Sequence, residues 1–126
     1  VAAAFLAIAK IGAIVLPLFS GFGATAIADR LNDGGAKAVF VADGMRRRGK
    51  EVCMKPVLDE ALAQVPTVAH VFVLRHLGVA TSMVSPRDIS WQEAVAHHPP
   101  SAPTEQAAMK LARPRHHAQP LSRRSR

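Results

Sequence analysis

The chain has no tyrosine, one tryptophan (Trp91), one cysteine (Cys53) and only nine acidic residues among 126. Each scarcity excludes something. A single cysteine allows no intramolecular disulfide, so a disulfide-stapled secreted module is ruled out and a reducing, cytoplasmic setting is expected. Few aromatics in a chain that is 49% apolar leave a core of Ala, Val, Leu and Ile, the make-up of α/β layers rather than of a β sandwich. Glycine is absent after Gly78, so no glycine-rich phosphate loop lies in the residues that follow it. The shortage of acids gives a net charge of +7. Its distribution is uneven, because residues 97–126 hold six Lys/Arg against Glu105 alone, and about +2 remains for the body. A folded basic face for nucleic acid is therefore not indicated.

The apolar residues are patterned over the first 96 positions. In residues 2–12, Ala2, Phe5, Leu6, Ile8 and Ala9 recur at spacings of three and four, which predicts a helix stopped by Gly12. Residues 13–19 form a continuous β-branched and aliphatic run that reads as a strand covered on both faces, with Pro17 near its end. Residues 24–31 predict a second helix capped by Thr25, with Ala26, Ile27 and Leu31 inward and Asp29, Arg30 and Asn32 outward. Asp33-Gly34-Gly35 ends it, and residues 37–42 are another buried strand. Strand, helix and strand in this length imply a right-handed crossover, with residues 14–19 parallel to residues 38–41 in one sheet.

Further along, residues 56–64 predict a helix with Pro56 in its first turn, and residues 68–74 a third strand. Residues 88–95 predict a short helix around Trp91, with Ser90 and Glu93 forming a capping box. The fold class is thus α/β, a partial doubly wound parallel sheet with flanking helices. From His97 the apolar period disappears and Arg, Pro, His and Ala dominate, so residues 97–126 are expected to be a disordered basic tail. Such a composition is what alternate frames of GC-rich coding sequence give.

A membrane role for residues 1–22 needs weighing, because the stretch is apolar and nearly long enough to span. Lys10 in its middle, Pro17 and the absence of a preceding basic segment favour a short helix feeding a strand instead. The alternative is a small protein anchored by residues 1–22 with its basic tail on anionic lipid.

Several residues invite chemistry and most have a plainer explanation. Asp43-Gly44 reads as a turn rather than an active-site acid. His70 lies in a strand run and reads as a sheet residue. His97, His98, His116 and His117 lack matched acidic or cysteine partners, so no metal site is assigned. Cys53 has no histidine partner placed by any pattern, and no catalytic residue is assigned. The strongest candidate is Arg46-Arg47-Arg48-Gly49-Lys50, where cations on a glycine-containing turn suit a phosphate dianion.

These features together, the helix and apolar run of residues 2–19, the Ser20-Gly21-Phe22-Gly23 turn, and the basic turn after residues 37–42, resemble the N-terminal region of the AMP-forming acyl-CoA synthetases. The acetyl-CoA synthetase branch is the most similar. The resemblance implies a coenzyme A site. Arg46 matches the first of two family arginines that bind the 3′-phosphate end, and Lys50 falls near the second with one residue inserted. Gly21 matches the second glycine of the family's Phe-Gly-Gly-Phe turn, while Ser20 replaces the first. The family adenylates a carboxylate with ATP and magnesium, then passes the acyl group to coenzyme A. The resemblance covers residues 1–96 and implies a segment of the N-terminal α/β subdomain. Its phosphate loop and mobile C-terminal lysine domain would lie elsewhere, so these residues alone are expected to be inactive. The expected partners are coenzyme A and a missing C-terminal portion of the enzyme, with no specific nucleic acid and no membrane.

Overall fold

The computed structural model describes residues 2–99, 101, 103 and 104. Three parallel strands form the scaffold: β1 (Ala38–Ala42), β4 (His70–Leu74) and β5 (Asp88–Ser90), in the order β1-β4-β5. Between β1 and β4 the chain makes a two-stranded antiparallel hairpin, β2 (Gly44–Arg47) and β3 (Lys50–Cys53), followed by helix α3 (Lys55–Leu62). Helices α1 (Ala2–Lys10) and α2 (Ala24–Asp33) precede the sheet, and α4 (Trp91–Ala96) follows it.

Period-two alternation divides the sheet's contacts. Val39 and Val41 of β1 stand in register with Val71 and Val73 of β4, and Val39, Val71 and Val73 join Ile27, Ala28 and Leu31 of α2 and Leu58, Ala61 and Leu62 of α3 in the core. On the intervening positions Phe40 stacks on its register partner Phe72 at 4.7 Å, and Trp91 meets Phe40 edge-on at 5.5 Å. Helices thus serve both faces of a parallel sheet, as the α/β reading expects.

The principal correction concerns residues 13–19. They belong to no helix or strand, and β1 pairs with β4 rather than with them. A strand needs a ladder, and among the described residues the backbone of residues 14–18 makes no backbone hydrogen bond. Apolar composition supplied the propensity; no partner strand supplies the bonds. Three smaller corrections follow. The N-cap of α2 is Gly23, with no side-chain cap, and Thr25 lies inside the helix. The basic turn is a full hairpin rather than a loop. Asp88–Ser90 is a strand because it pairs with residues 71–73 of β4, and the helix starts only at Trp91. Ser90 does cap it, accepting from the Glu93 N–H at 3.4 Å.

Residues 1–22 do not form one continuous helix: α1 ends at Lys10. Among the described residues no helix is long and apolar enough to cross a membrane. The expectation of a disordered tail falls mainly on residues 105–126, which lie outside the described residues, as do His116 and His117.

Candidate coenzyme A phosphate site

The hairpin leaves the sheet at the carboxyl end of β1, the edge where open parallel sheets usually place ligands. Its turn is Arg48-Gly49, with φ of +51° and +76°. Two consecutive positive φ values are the mark of the two-residue turn whose twist matches a hairpin, and glycine meets that demand at the second position without strain. Arg48 adopts it against its Cβ.

Pairing across the hairpin sorts the cations. Arg47 stands opposite Lys50, and Arg46 stands opposite Glu51. Neighbouring residues of a strand point to opposite faces, so Arg47 and Lys50 share one face and Arg46 and Glu51 the other. Arg46 Nη2 lies 3.4 Å from Glu51 Oε1, an exposed ion pair. On the opposite face the Arg47 guanidinium lies over Gly21: a Cβ built on residue 21 would sit 3.1 Å from Arg47 Nη1. The structure therefore brings Arg47 to Gly21, and Lys50 stands opposite Arg47 on the same hairpin face. Arg46 is engaged elsewhere. The sequence reading placed Arg47 within the basic run without singling it out; strand alternation puts residues 47 and 50, rather than 46 and 50, on a common face.

Below this cluster, Val52 of β3 and Leu18, Phe19, Ser20 and Phe22 of the turn line an apolar cavity of about 100 Å³ against β1. Phe22 is fixed by Phe19, with ring centroids 5.9 Å apart, and by the Arg30 guanidinium 4.1 Å above its ring. The glycine turn is thus held by aromatic and cation–π contacts rather than by a sheet ladder.

Asp43 anchors the hairpin. Its side chain is 1% exposed, and Oδ1 accepts from the N–H groups of Gly44, His76 and Leu77 at 2.7, 2.9 and 3.0 Å while Oδ2 accepts from Gly78 at 2.8 Å. Burial pushes the carboxyl up, but the N–H groups, Leu77 and His76 foremost, reverse this and hold its pKa at about 2. A carboxylate saturated by backbone donors serves structure, which agrees with the turn reading over the active-site acid. A second buried cluster lies along α3. Lys55 Nζ is 2.7 Å from Asp59 and 2.7 Å from Asp88, and Arg87 bridges the same two carboxylates at 2.6 Å each. Burial raises the Asp88 carboxyl, and the bonds from Arg87 and Lys55 bring it down to about 2. This network ties α3 to β5.

Two other candidates lie at strand ends. His70 is exposed at the start of β4, and Cys53 is exposed at the end of β3. Among the described residues no three His, Cys, Asp or Glu side chains are grouped to hold a metal ion.

Comparison with known proteins agrees with the fold. The acetyl-coenzyme A synthetase of Rhodopirellula baltica is 46% identical over 98 residues, 78% of this chain and 15% of that protein. The acetyl-coenzyme A synthetase of Coprinopsis cinerea is 42% identical over 103 residues, 82% of this chain and 16% of its own length. The acetoacetyl-CoA synthetase from Streptomyces lividans superposes with a TM-score of 0.68 at 25% identity, over 82% of this chain and 15% of that one. The chain thus spans only about 15% of the length of these relatives. The family described as AMP-binding enzyme matches residues 1–112, and with the parallel sheet and the glycine turn in place the chain belongs to that family, as a segment of acyl-CoA synthetase type.

Proposed function

We propose that this segment supplies the site for the 3′-phosphate end of coenzyme A in an acyl-CoA synthetase acting on acetate or a related small carboxylate. The observation that carries the reading is the approach of Arg47 to Gly21 with Lys50 on the same hairpin face. A phosphate dianion set over Gly21 meets a guanidinium fork from Arg47 and a point charge from Lys50, while the missing Cβ leaves room for close approach. In this reading Arg47, rather than Arg46, takes the role of the first family arginine, and Arg46 with Glu51 stiffens the far face.

The residues fit the phosphate end of the nucleotide and nothing more of the reaction. Adenylation with ATP and magnesium is a property of the longer enzymes, and these 126 residues do not perform it alone, since charge developing on the transferring phosphate finds no glycine-rich loop here. A reducing, cytoplasmic setting suits the exposed Cys53 thiol. The test is a calorimetric or amide-shift titration with coenzyme A and with its form lacking the 3′-phosphate. The phosphate end alone supports a Kd of about 1 mM, near −4 kcal/mol. Arg47→Ala and Lys50→Ala each abolish the response and Arg46→Ala preserves it. Equal response to both ligands, or loss only with Arg46→Ala, refutes the assignment. Carboxylate-dependent pyrophosphate release from ATP by the purified chain refutes the inactivity.

A further inference from the structure

Arg47 stands on β2 and Lys50 on β3, so their common face keeps its shape only while the hairpin is held as one unit at its base. A ribbon of two short strands is marginal by itself. What holds this one lies behind it. The Asp43 carbonyl accepts from the Met54 N–H at 3.1 Å, which closes the base, and the Asp43 N–H donates to the Leu74 carbonyl at 2.9 Å. The Asp43 carboxylate takes the three consecutive N–H groups of His76, Leu77 and Gly78. That loop is itself fixed where it leaves β4: the Gln92 side chain of α4 donates to the Arg75 carbonyl at 3.0 Å and accepts from the Arg75 N–H at 3.4 Å. Gly44 sits in the same joint. A Cβ there would stand 2.9 Å from the Val52 carbonyl oxygen of β3 and 3.0 Å from Leu77 Cδ1, so a side chain enters only if β3 or the loop moves.

We infer that Asp43, through its grip on residues 76–78, is a positioning residue for the 3′-phosphate site, holding Arg47 at Gly21 with Lys50 on the same face. The inference rests on the phosphate reading and adds to it a part supplied from more than 30 positions along the chain. A phosphate met by a guanidinium fork and a point charge needs both cations in place together, and such placement is set by the groups that support the binding residues as much as by those residues. Asp43 is 1% exposed, so it acts from behind the face and does not touch the ligand.

The test is an amide-shift titration of the 126-residue chain with coenzyme A. Folded and unfolded molecules give separate resonances, so a Kd read from the folded set belongs to the folded site, whatever fraction of the sample has unfolded. Asp43→Asn and, separately, Gly44→Ala each raise that Kd by about 10-fold, the effect expected when one charge-assisted hydrogen bond is lost from alignment. Leu62→Ala truncates the core at the far end of α3 and lowers stability without touching the joint; its folded-state Kd stays at the wild-type value. An unchanged folded-state Kd in both Asp43→Asn and Gly44→Ala overturns the inference. An equal rise in Leu62→Ala also overturns it, by tracing the effect to general loosening of the fold. A rise in Gly44→Ala without one in folded Asp43→Asn removes the role of the carboxylate. If Asp43→Asn does not fold, Gly44→Ala decides alone. The phosphate reading is tested apart from this: a wild-type chain that responds equally to coenzyme A and to its form lacking the 3′-phosphate refutes both, whereas discrimination that Arg47→Ala abolishes, with Asp43→Asn and Gly44→Ala at the wild-type Kd, refutes the positioning role only.

Discussion

Replacing Asp43 by asparagine tests how the hairpin is anchored. The substitution preserves shape, and the new carbonyl oxygen still accepts from Gly44, His76 and Leu77. The amide nitrogen, however, now faces the Gly78 N–H, which stands 2.8 Å from Oδ2 in the native protein. A donor meets a donor, and three charge-assisted bonds become neutral ones. The native carboxyl lies at about 2 rather than 3.8, which at 1.36 kcal/mol per unit corresponds to about 2 kcal/mol for the buried carboxylate. Adding the unsatisfied Gly78 donor, the loss is about 3 kcal/mol, a large share of the 5–15 kcal/mol typical of a small domain.

The sign of the pH dependence is set by the same shift. A carboxyl depressed in the folded state contributes stability that is complete above its unfolded value and is lost as pH falls through its folded value. Urea unfolding at a series of pH values therefore shows the gap between wild type and Asp43→Asn constant near neutrality and narrowing below pH 4, by about 1 kcal/mol at pH 3. Asp88, likewise at about 2, is common to both proteins and cancels in the difference. A gap below about 0.5 kcal/mol at neutral pH, the size of an ordinary surface effect, refutes the anchoring role. A gap that does not change between pH 6 and pH 3 refutes its electrostatic cause.

Three further outcomes are expected. Lys55→Met removes the buried amine shared by Asp59 and Asp88 and costs about 3 kcal/mol, with acid unfolding moved to higher pH; a neutral effect in urea unfolding would show that Arg87 alone satisfies both carboxylates. Arg48→Asn relieves the +51° φ of a residue with a branched-off Cβ and raises stability by about 0.5 kcal/mol, a Tm increase of about 3 °C by calorimetry, whereas Arg48→Val lowers it. Gly21→Ala meets only the far end of a flexible side chain, Arg47 Nη1 at 3.1 Å, so melting stays within about 0.5 kcal/mol while the coenzyme A response falls; unchanged binding would separate Gly21 from the site.

The parts legible in the sequence were those that short-range physics decides. The inward positions Ile27 and Leu31 of α2, Pro56 in the first turn of α3, strands within residues 37–42 and 68–74 though not their pairing with each other, and the Ser90 cap each follow from periodicity or capping chemistry in a few adjacent residues. Residues 13–19 were not legible, because propensity cannot say whether a ladder partner is present. The hairpin was obscured by charge: Arg46, Arg47 and Lys50 hide an alternation that Met45 and Val52 share, and a run of cations resembles a solvated loop. In the candidate site, Gly21, Arg46 and Lys50 were named by resemblance, whereas the approach of Arg47 to Gly21 is visible only once the cross-strand register is known. Asp43 was recognised as a turn residue, but its bonds to residues 76–78 depend on a loop more than 30 positions away.

The backbone at Asp43 has a consequence for how such a site can change over time. Its carbonyl accepts from the Met54 N–H at 3.1 Å, so the chain leaves the scaffold and rejoins it at the same residue. Everything between is a closed excursion whose length, charge and tip sequence can drift without shifting the register of β1 against β4. Selection acting on the tip of the excursion is thereby insulated from selection acting on the sheet, and one scaffold can carry successive tips of different chemistry.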